Sequence, residues 1–142
     1  MKLPLRDYAD VITALKGPGE RPGANEKRVA ARMTVSAKIN IHLIEDKRVA
    51  RSFSALTRDI SLTGCGVLQS VALSANQNVV VALPRTHAPL YVIATVMHCR
   101  PLADGLLAVG LEFVELASKE TTELLLNDGT RETARIRESV LR

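Results

Sequence analysis

The fold of this chain is constrained most by a series of short apolar segments, separated by turn-forming residues, from about residue 34 to residue 114. In the first segment, apolar and polar residues alternate from Thr34 to Leu43, which is the period of a half-buried strand. Glu45-Asp46-Lys47 turns the chain. A return strand over Val49–Thr57 alternates less regularly, and we predict that Arg58-Asp59 closes it.

Four further strands are predicted at short, regular intervals along the chain. They are Gly64–Leu68, Val79–Leu83, Leu90–Met97 and Leu106–Val114. Turn signals, among them Pro84 and Ala103-Asp104-Gly105, lie between them. Short strands in this regular arrangement indicate an all-β core, as a small antiparallel barrel or sandwich.

A helix is predicted before the strands. Apolar residues recur on one side of residues 1–15 at helical spacing, and these are Leu5, Tyr8, Ala9, Ile12 and Leu15. The Gly- and Pro-rich stretch over residues 17–24 then breaks the helix, because Pro removes a backbone donor and Gly widens backbone freedom. We expect this stretch to be a mobile linker.

Helix is also predicted after the strands. Ser118 can cap a segment from about Lys119 to Leu126, which Asn127-Asp128-Gly129 stops. Thr130–Leu141 could form a second, charged helix, which is either simply solvated or binds a partner. The expected division is an N-terminal helix and arm over 1–26, a barrel domain over 27–116 and a C-terminal helical segment over 117–142.

Length and charge limit the class of protein. A chain of 142 residues suits one domain with one core, and the Met1 start favours a stand-alone domain. The formal charge of +4 favours anionic partners mildly. No apolar run approaches the ~20 residues that a transmembrane helix needs, and the first residues do not resemble a signal peptide. We therefore expect a cytoplasmic protein with no transmembrane segment.

The cysteines and histidines do not form a recognisable reactive or metal site. Cys65 and Cys99 lie in separate strand-like stretches and are interpreted as reduced thiols, with a disulfide left open. His42, His87 and His98 show no ligand spacing with either thiol, so no metal is expected. There is also no Ser–His or Cys–His arrangement, phosphate loop or paired carboxylate, so we do not expect an enzyme.

Two arginines four residues apart, Arg28 and Arg32, precede the first strand, and Lys27 stands directly beside them. The guanidinium group is planar, always charged and offers a fork of donors that matches phosphate oxygens. From Lys16 to Arg32 the chain has five basic and two acidic residues. A flexible arm with this surplus can fold over a polyanion, although basic residues that flank a domain often serve only solubility.

The second motif is Asp59-Ile60-Ser61-Leu62-Thr63-Gly64, at the end of the return strand. A carboxylate can accept hydrogen bonds from an edge with two donors, such as the ring NH and amino group of guanine. Ser61 can donate to a phosphate or close the turn through its own backbone. Gly64 and Gly66 have no side chains, which leaves space where a ligand or another strand comes near. The alternative interpretation is an ordinary Asx or Ser turn.

These two motifs, in this order and separated by one hairpin, resemble the PilZ domain family. The resemblance runs from about Lys27 to Val114. It includes the paired arginines Arg28 and Arg32 and the acid–serine–glycine turn at Asp59, Ser61 and Gly64, and neither motif departs from the family's pattern. Val109-Gly110-Leu111-Glu112-Phe113 is also similar to the family's last strand.

The resemblance implies a six-stranded antiparallel β-barrel followed by a helix, and a receptor for cyclic di-GMP without a further cofactor. It implies that Arg28 and Arg32 grip phosphates and stack on guanine. Asp59 and Ser61 would read the guanine edge, and Gly64 and Gly66 would shape the floor. The residue before the first arginine influences ligand stoichiometry in the family. Lys27 stands there, and its cation favours a stacked pair of ligands.

Two other functions are compatible with the sequence. A PilZ-like barrel could act only as a protein-interaction module through its terminal helices. If the protein is instead a receptor, we expect it to act on a downstream protein effector. A basic small barrel could also bind single-stranded nucleic acid, but such proteins stack bases on aromatic side chains. This chain has two Tyr, two Phe and no Trp, so a nucleic acid polymer is not an expected partner.

Overall fold

The computed structural model of the protein describes residues 1–16, 33–46 and 48–125. Helix α1 spans Leu5–Lys16, and residues 119–125 form a second helix, α2. The strands are β1 Met33–Thr34, β2 Lys38–Glu45, β3 Arg48–Ile60, β4 Gly64–Gln69, β5 Asn78–Leu83, β6 Leu90–Ala103 and β7 Leu106–Leu116. The predicted linker, the Thr130–Leu141 helix and the arm with Lys27, Arg28 and Arg32 lie outside the described residues.

Six of the strands form a closed antiparallel barrel. Neighbouring strands pair in the order β3-β2-β5-β6-β7-β4, and β4 pairs again with β3 to close the ring. All of these pairings are antiparallel. Strand β1 pairs only with the last residues of β3, through Met33 with Ile60 and Thr34 with Asp59. The predicted six-stranded barrel with flanking helices is therefore confirmed. Closure pairs both edges of each strand in the ring, so their backbone hydrogen bonds are made within the barrel.

The first predicted strand, from Thr34 to Leu43, is split into β1 and β2. The Thr57 hydroxyl donates to the Ala37 carbonyl at 2.9 Å and accepts from the Ala37 amide at 3.0 Å. A side chain thus takes part in pairing where a regular ladder would use the backbone alone. This interruption depends on a residue twenty positions away, which the local alternation does not contain.

Two strands extend further than their local sequence predicts. Strand β3 continues through Arg58-Asp59 to Ile60, so the prediction that these two residues close it was wrong. Strand β6 continues beyond Met97 to Ala103, because its pairing with β7 persists to Ala103 opposite Leu106. In both cases, pairing to a neighbouring strand outweighs the loss of apolar alternation.

The barrel interior is filled by aliphatic side chains from all six strands together with Phe113, which is buried. One side of α1 packs into the same core, and its buried residues are Tyr8, Val11, Ile12 and Leu15. The predicted face was partly wrong, because Leu5 and Ala9 are exposed and Val11 is buried in their place. Each apolar side chain of this kind contributes about 1.5–3 kcal/mol on burial, so α1 is a stable part of the fold.

Polar contacts hold α1 on the barrel, and a side chain caps the start of α2. The Arg85 guanidinium after β5 lies 3.1 Å from the Asp7 carboxylate on α1, and Thr86 hydrogen-bonds to Asp10. Burial raises the pKa of Tyr8 on the same helix. At the start of α2, the Ser118 hydroxyl accepts from the Thr121 amide at 3.1 Å, which confirms the predicted N-cap of this helix.

Cys65 lies buried in β4 and Cys99 half-buried in β6, and neither forms a disulfide. Within residues 1–16, 33–46 and 48–125, no group of three or more His, Cys, Asp or Glu is placed to hold a metal ion. No helix in that part of the chain has the length and apolar character needed to cross a membrane.

Candidate ligand-binding site

The described half of the predicted site lies in the hairpin formed by β3 and β4. Asp59 is near the end of β3, Ser61 lies in the connecting turn, and Gly64 and Gly66 lie in β4. The structure therefore brings these four residues together. The other half, Lys27, Arg28 and Arg32, lies outside the described residues.

Asp59 is held in place by Gly66 on the adjacent strand. The pairing of β3 with β4 is irregular between Thr57 and Asp59, and Asp59 then lies opposite Gly66. The Gly66 amide donates to Oδ1 of Asp59 at 3.0 Å. A Cβ atom on Gly66 would lie 3.1 Å from Oδ1 and 3.2 Å from Oδ2. The absence of a side chain at position 66 thus lets the half-buried carboxylate lie over β4.

Ser61 closes the turn that follows Asp59. Its amide donates to the Gly64 carbonyl at 2.9 Å, and its hydroxyl donates to the same carbonyl at 3.3 Å and accepts from the Thr63 amide at 3.3 Å. The residue is only 5% exposed. Of the two uses predicted for this hydroxyl, closing the turn is the one seen here, and contact with a phosphate stays a prediction.

Gly64 and Gly66 are required for different reasons. A Cβ atom on Gly64 would overlap the carbonyl oxygen of Leu111 and lie 3.3 Å from Cα of Glu112, both on β7. Position 64 therefore permits close approach of another strand, whereas position 66 makes room for the Asp59 carboxylate. The predicted close approach of another strand is confirmed at Gly64, whereas a ligand contact at either glycine stays a prediction.

A histidine that the sequence did not assign to this site lies on the same outer surface. Gly66 pairs with Gly110 on β7, and Gly110 pairs with His98 on β6. A Cβ atom on Gly110 would lie 2.7 Å from Cε1 and 2.9 Å from Cδ2 of His98. The imidazole ring therefore covers Gly110. The available sequence signal was an isolated glycine inside a strand, which marks close approach of another group.

The turn is also connected to α1. The Leu3 amide, just before the helix, donates to the Leu62 carbonyl at 2.8 Å, and the Phe113 amide donates to the Thr63 carbonyl at 2.8 Å. The terminal amino group of Met1 donates to the Phe113 carbonyl at 3.1 Å. The residues between Ser61 and Gly64 thus contact both the N-terminal segment and β7. A displacement of this turn would therefore change the position of α1.

A family model and several solved structures match this chain. The family model of the PilZ domain matches residues 26–127. A solved structure of the Bacillus subtilis inhibitor of motility (MotI/DgrA) is 17% identical, with a TM-score of 0.43, over 72% of this chain and 49% of that one. The K. pneumonia MrkH–c-di-GMP complex is 15% identical, with a TM-score of 0.47, over 73% and 52%.

The apo structure of MrkH is 16% identical, with a TM-score of 0.46, over 73% of this chain and 51% of that one. The chain therefore spans about half the length of these solved structures. No curated protein gives a significant match. Since the family model covers most of the chain, including the turn at Asp59 and the arginines, the protein belongs to the PilZ domain family.

Proposed function

We propose that this protein is a cyclic di-GMP receptor that changes its conformation or its partner binding when the ligand is captured, and that it performs no catalysis. The observation that carries the proposal is the carboxylate of Asp59, fixed over Gly66 on the outer surface of a barrel whose chain belongs to the PilZ family. A fixed acceptor is suited to recognise a ligand edge with two donors, because it loses little conformational entropy on binding.

The guanine edge is assigned to Asp59 and the phosphates to the arginines. A carboxylate accepts at two oxygens, which matches the ring NH and amino group of guanine. Arg28 and Arg32 would supply planar cationic groups to the phosphates and the bases. Ser61 would hold the turn in shape and, through its own hydroxyl, support the guanine contact. Gly66 would keep space for the Asp59 carboxylate and the base, and Gly64 would let β7 lie close to the turn.

Several charge-assisted contacts make micromolar or tighter binding the expected range. Each contact contributes on the order of 1.5–3 kcal/mol, and the entropy lost when the ligand is immobilised opposes this gain. The hydrogen bonds of Leu3 to Leu62 and of Phe113 to Thr63 offer a route from the turn to α1. Ligand capture would therefore alter the docking of α1 and change what a downstream protein can bind.

The test is calorimetric titration of the protein with cyclic di-GMP, with GTP and cyclic AMP as controls. We expect saturable binding of cyclic di-GMP, a raised melting midpoint because the ligand binds only the folded chain, and no comparable effect of the controls. An Asp59→Asn variant keeps an oxygen for the Gly66 amide but loses the charge, and should bind at least about tenfold more weakly.

The matched control is Asp104→Asn, since Asp104 is exposed in the turn between β6 and β7. It should bind like the wild-type protein. Absence of binding by the wild-type protein would contradict the receptor function and favour a PilZ-like adaptor that recognises proteins. Generic binding of oligonucleotides with strong salt dependence would instead favour a nucleic-acid protein.

A further inference from the structure

We propose that His98 is a second recognition residue of the ligand site and that its imidazole stacks on a guanine base whose edge Asp59 holds. The inference rests on the proposed function and deepens it by assigning a contact to the face of the base. It comes from one row of residues across four strands of the barrel, in which Asp59 and His98 lie at the ends and two glycines lie between them.

The register places the two side chains over neighbouring strands. Asp59 pairs with Gly66, Gly66 with Gly110, and Gly110 with His98. The Asp59 carboxylate leans over Gly66 on β4, and the His98 ring leans over Gly110 on β7. Strands β4 and β7 are adjacent, and adjacent strands lie about 5 Å apart. The two groups therefore converge within the dimensions of one base.

The row lies on the outer surface of the barrel. Val109 and Leu111, the neighbours of Gly110 along β7, are buried in the interior, so Gly110 itself belongs to the outer face. On β6, Val96 is buried, and an irregularity in the pairing between Val96 and His98 places exposed His98 opposite Gly110. A ligand from solvent can therefore reach both Asp59 and His98 without opening the barrel.

The chemistry of the two groups is complementary. A carboxylate recognises the base in its plane through hydrogen bonds, whereas an aromatic ring contacts the face of the base by stacking. Within the described residues, no hydrogen bond or ion pair holds the His98 imidazole. The ring lies against Gly110, and because His98 is exposed the ring is available for stacking. Gly110 leaves space for the ring to lie close to the strand.

The stacking contribution is tested with paired substitutions at His98. His98→Ala removes the aromatic ring on which the base would stack. The affinity for cyclic di-GMP should therefore fall about tenfold. His98→Phe keeps an aromatic face and should stay within about threefold of the wild-type protein. His87→Ala is the control, because His87 is an exposed histidine in the loop between β5 and β6.

Gly110→Ala gives an independent test that leaves the imidazole in the protein. The new Cβ atom would come under 3.0 Å from the ring and displace it. Because the ring is the end of an exposed side chain, the barrel should remain folded, which circular dichroism can verify. Binding should weaken in the same direction as in His98→Ala, and combining the two substitutions should add little further loss.

The contact itself is observed by NMR of the histidine ring protons during the cyclic di-GMP titration. A base stacked on His98 should move the ring protons of His98 upfield, with those of His87 unchanged. If the wild-type protein binds the ligand but His98→Ala binds as tightly as His87→Ala and the His98 ring signals stay in place, the stacking role is wrong and the receptor function stands. If the wild-type protein does not bind, both proposals fail.

Discussion

Two hairpins of the barrel end in glycine-containing turns, and they differ in how firmly the rest of the protein holds them. The turn between β3 and β4 is tied to α1 through Leu62 and to β7 through Thr63. The tip between β6 and β7 is exposed from residue 100 to residue 106. The candidate site lies on the tethered hairpin, where side chains are held in position before a ligand arrives.

The glycines at the two hairpins show the same difference. Gly64 is required because β7 approaches it, and a Cβ atom there would overlap the Leu111 carbonyl. Gly105 has φ of +74°, and a Cβ atom there would meet nothing within 4 Å. The first glycine is a packing requirement and the second is a requirement of backbone conformation alone.

The largest expected effect is that of Gly64→Ala on stability. Forcing a Cβ atom against the backbone of β7 should lower the free energy of unfolding by about 3 kcal/mol. Gly105→Ala should lower it by only about 1 kcal/mol, the usual penalty for an L-residue in the left-handed region. Urea unfolding of both variants measures the difference. Equal losses would contradict the distinction between the two hairpins.

A smaller loss of stability is expected for Ser61→Ala. The buried hydroxyl bonds to the Gly64 carbonyl and the Thr63 amide, so its removal should cost about 1–2 kcal/mol. Ser70→Ala, at an exposed position just after β4, should change the free energy of unfolding by less than about 0.5 kcal/mol. Thermal or urea unfolding compares the two. A Ser61→Ala variant as stable as Ser70→Ala would show that the turn is not held by this side chain.

Arg28→Ala or Arg32→Ala should affect binding and leave the fold unchanged. On the proposed function each would remove a charge-assisted phosphate contact, so affinity for cyclic di-GMP should fall at least about tenfold, while the melting midpoint without ligand should stay near that of the wild-type protein. Arg51→Ala, at an exposed position on β3, is the control. Wild-type affinity by calorimetry in either arginine variant would defeat the roles assigned to the pair.

The smallest expected effect concerns stoichiometry. A cation at Lys27 should tolerate a second ligand next to the first, so calorimetry should give two cyclic di-GMP molecules per chain. Lys27→Ala should weaken the second binding step by a few-fold at most, since a solvent-screened ionic contact contributes on the order of 0.2–1 kcal/mol. A single ligand bound to the wild-type protein would remove the reason for assigning this role to Lys27.

Much of the barrel could be predicted because the residue pattern that indicates each strand lies within that strand. Inward and outward residues alternate along a strand, so the period of two seen from Ile39 to Leu43 marks a strand before its partners are known. The turn after Asp59 was equally visible, since Ser61 bonds to Gly64 and Asp59 to Gly66, each within a few residues along the chain. Such patterns depend on neighbours within a few residues.

What could not be predicted depends on pairing between distant segments. The split between β1 and β2 follows from the Thr57 hydroxyl, and the extension of β6 follows from its register with β7. His98 joins the row of Asp59 only through three successive strand pairings. Local spacing therefore predicted Asp59 and its turn as one side of the candidate site, whereas only the register of the closed barrel suggested His98.

The most direct test is an amide NMR titration of the wild-type protein with cyclic di-GMP. A receptor that uses the tethered hairpin should show saturable shifts at the amides of Asp59, Ser61 and Gly66, with further shifts around Arg28 and Arg32. The exposed tip around Asp104 should stay unmoved. If saturating ligand leaves the amides of the β3–β4 turn unchanged, this protein does not bind cyclic di-GMP at the site described.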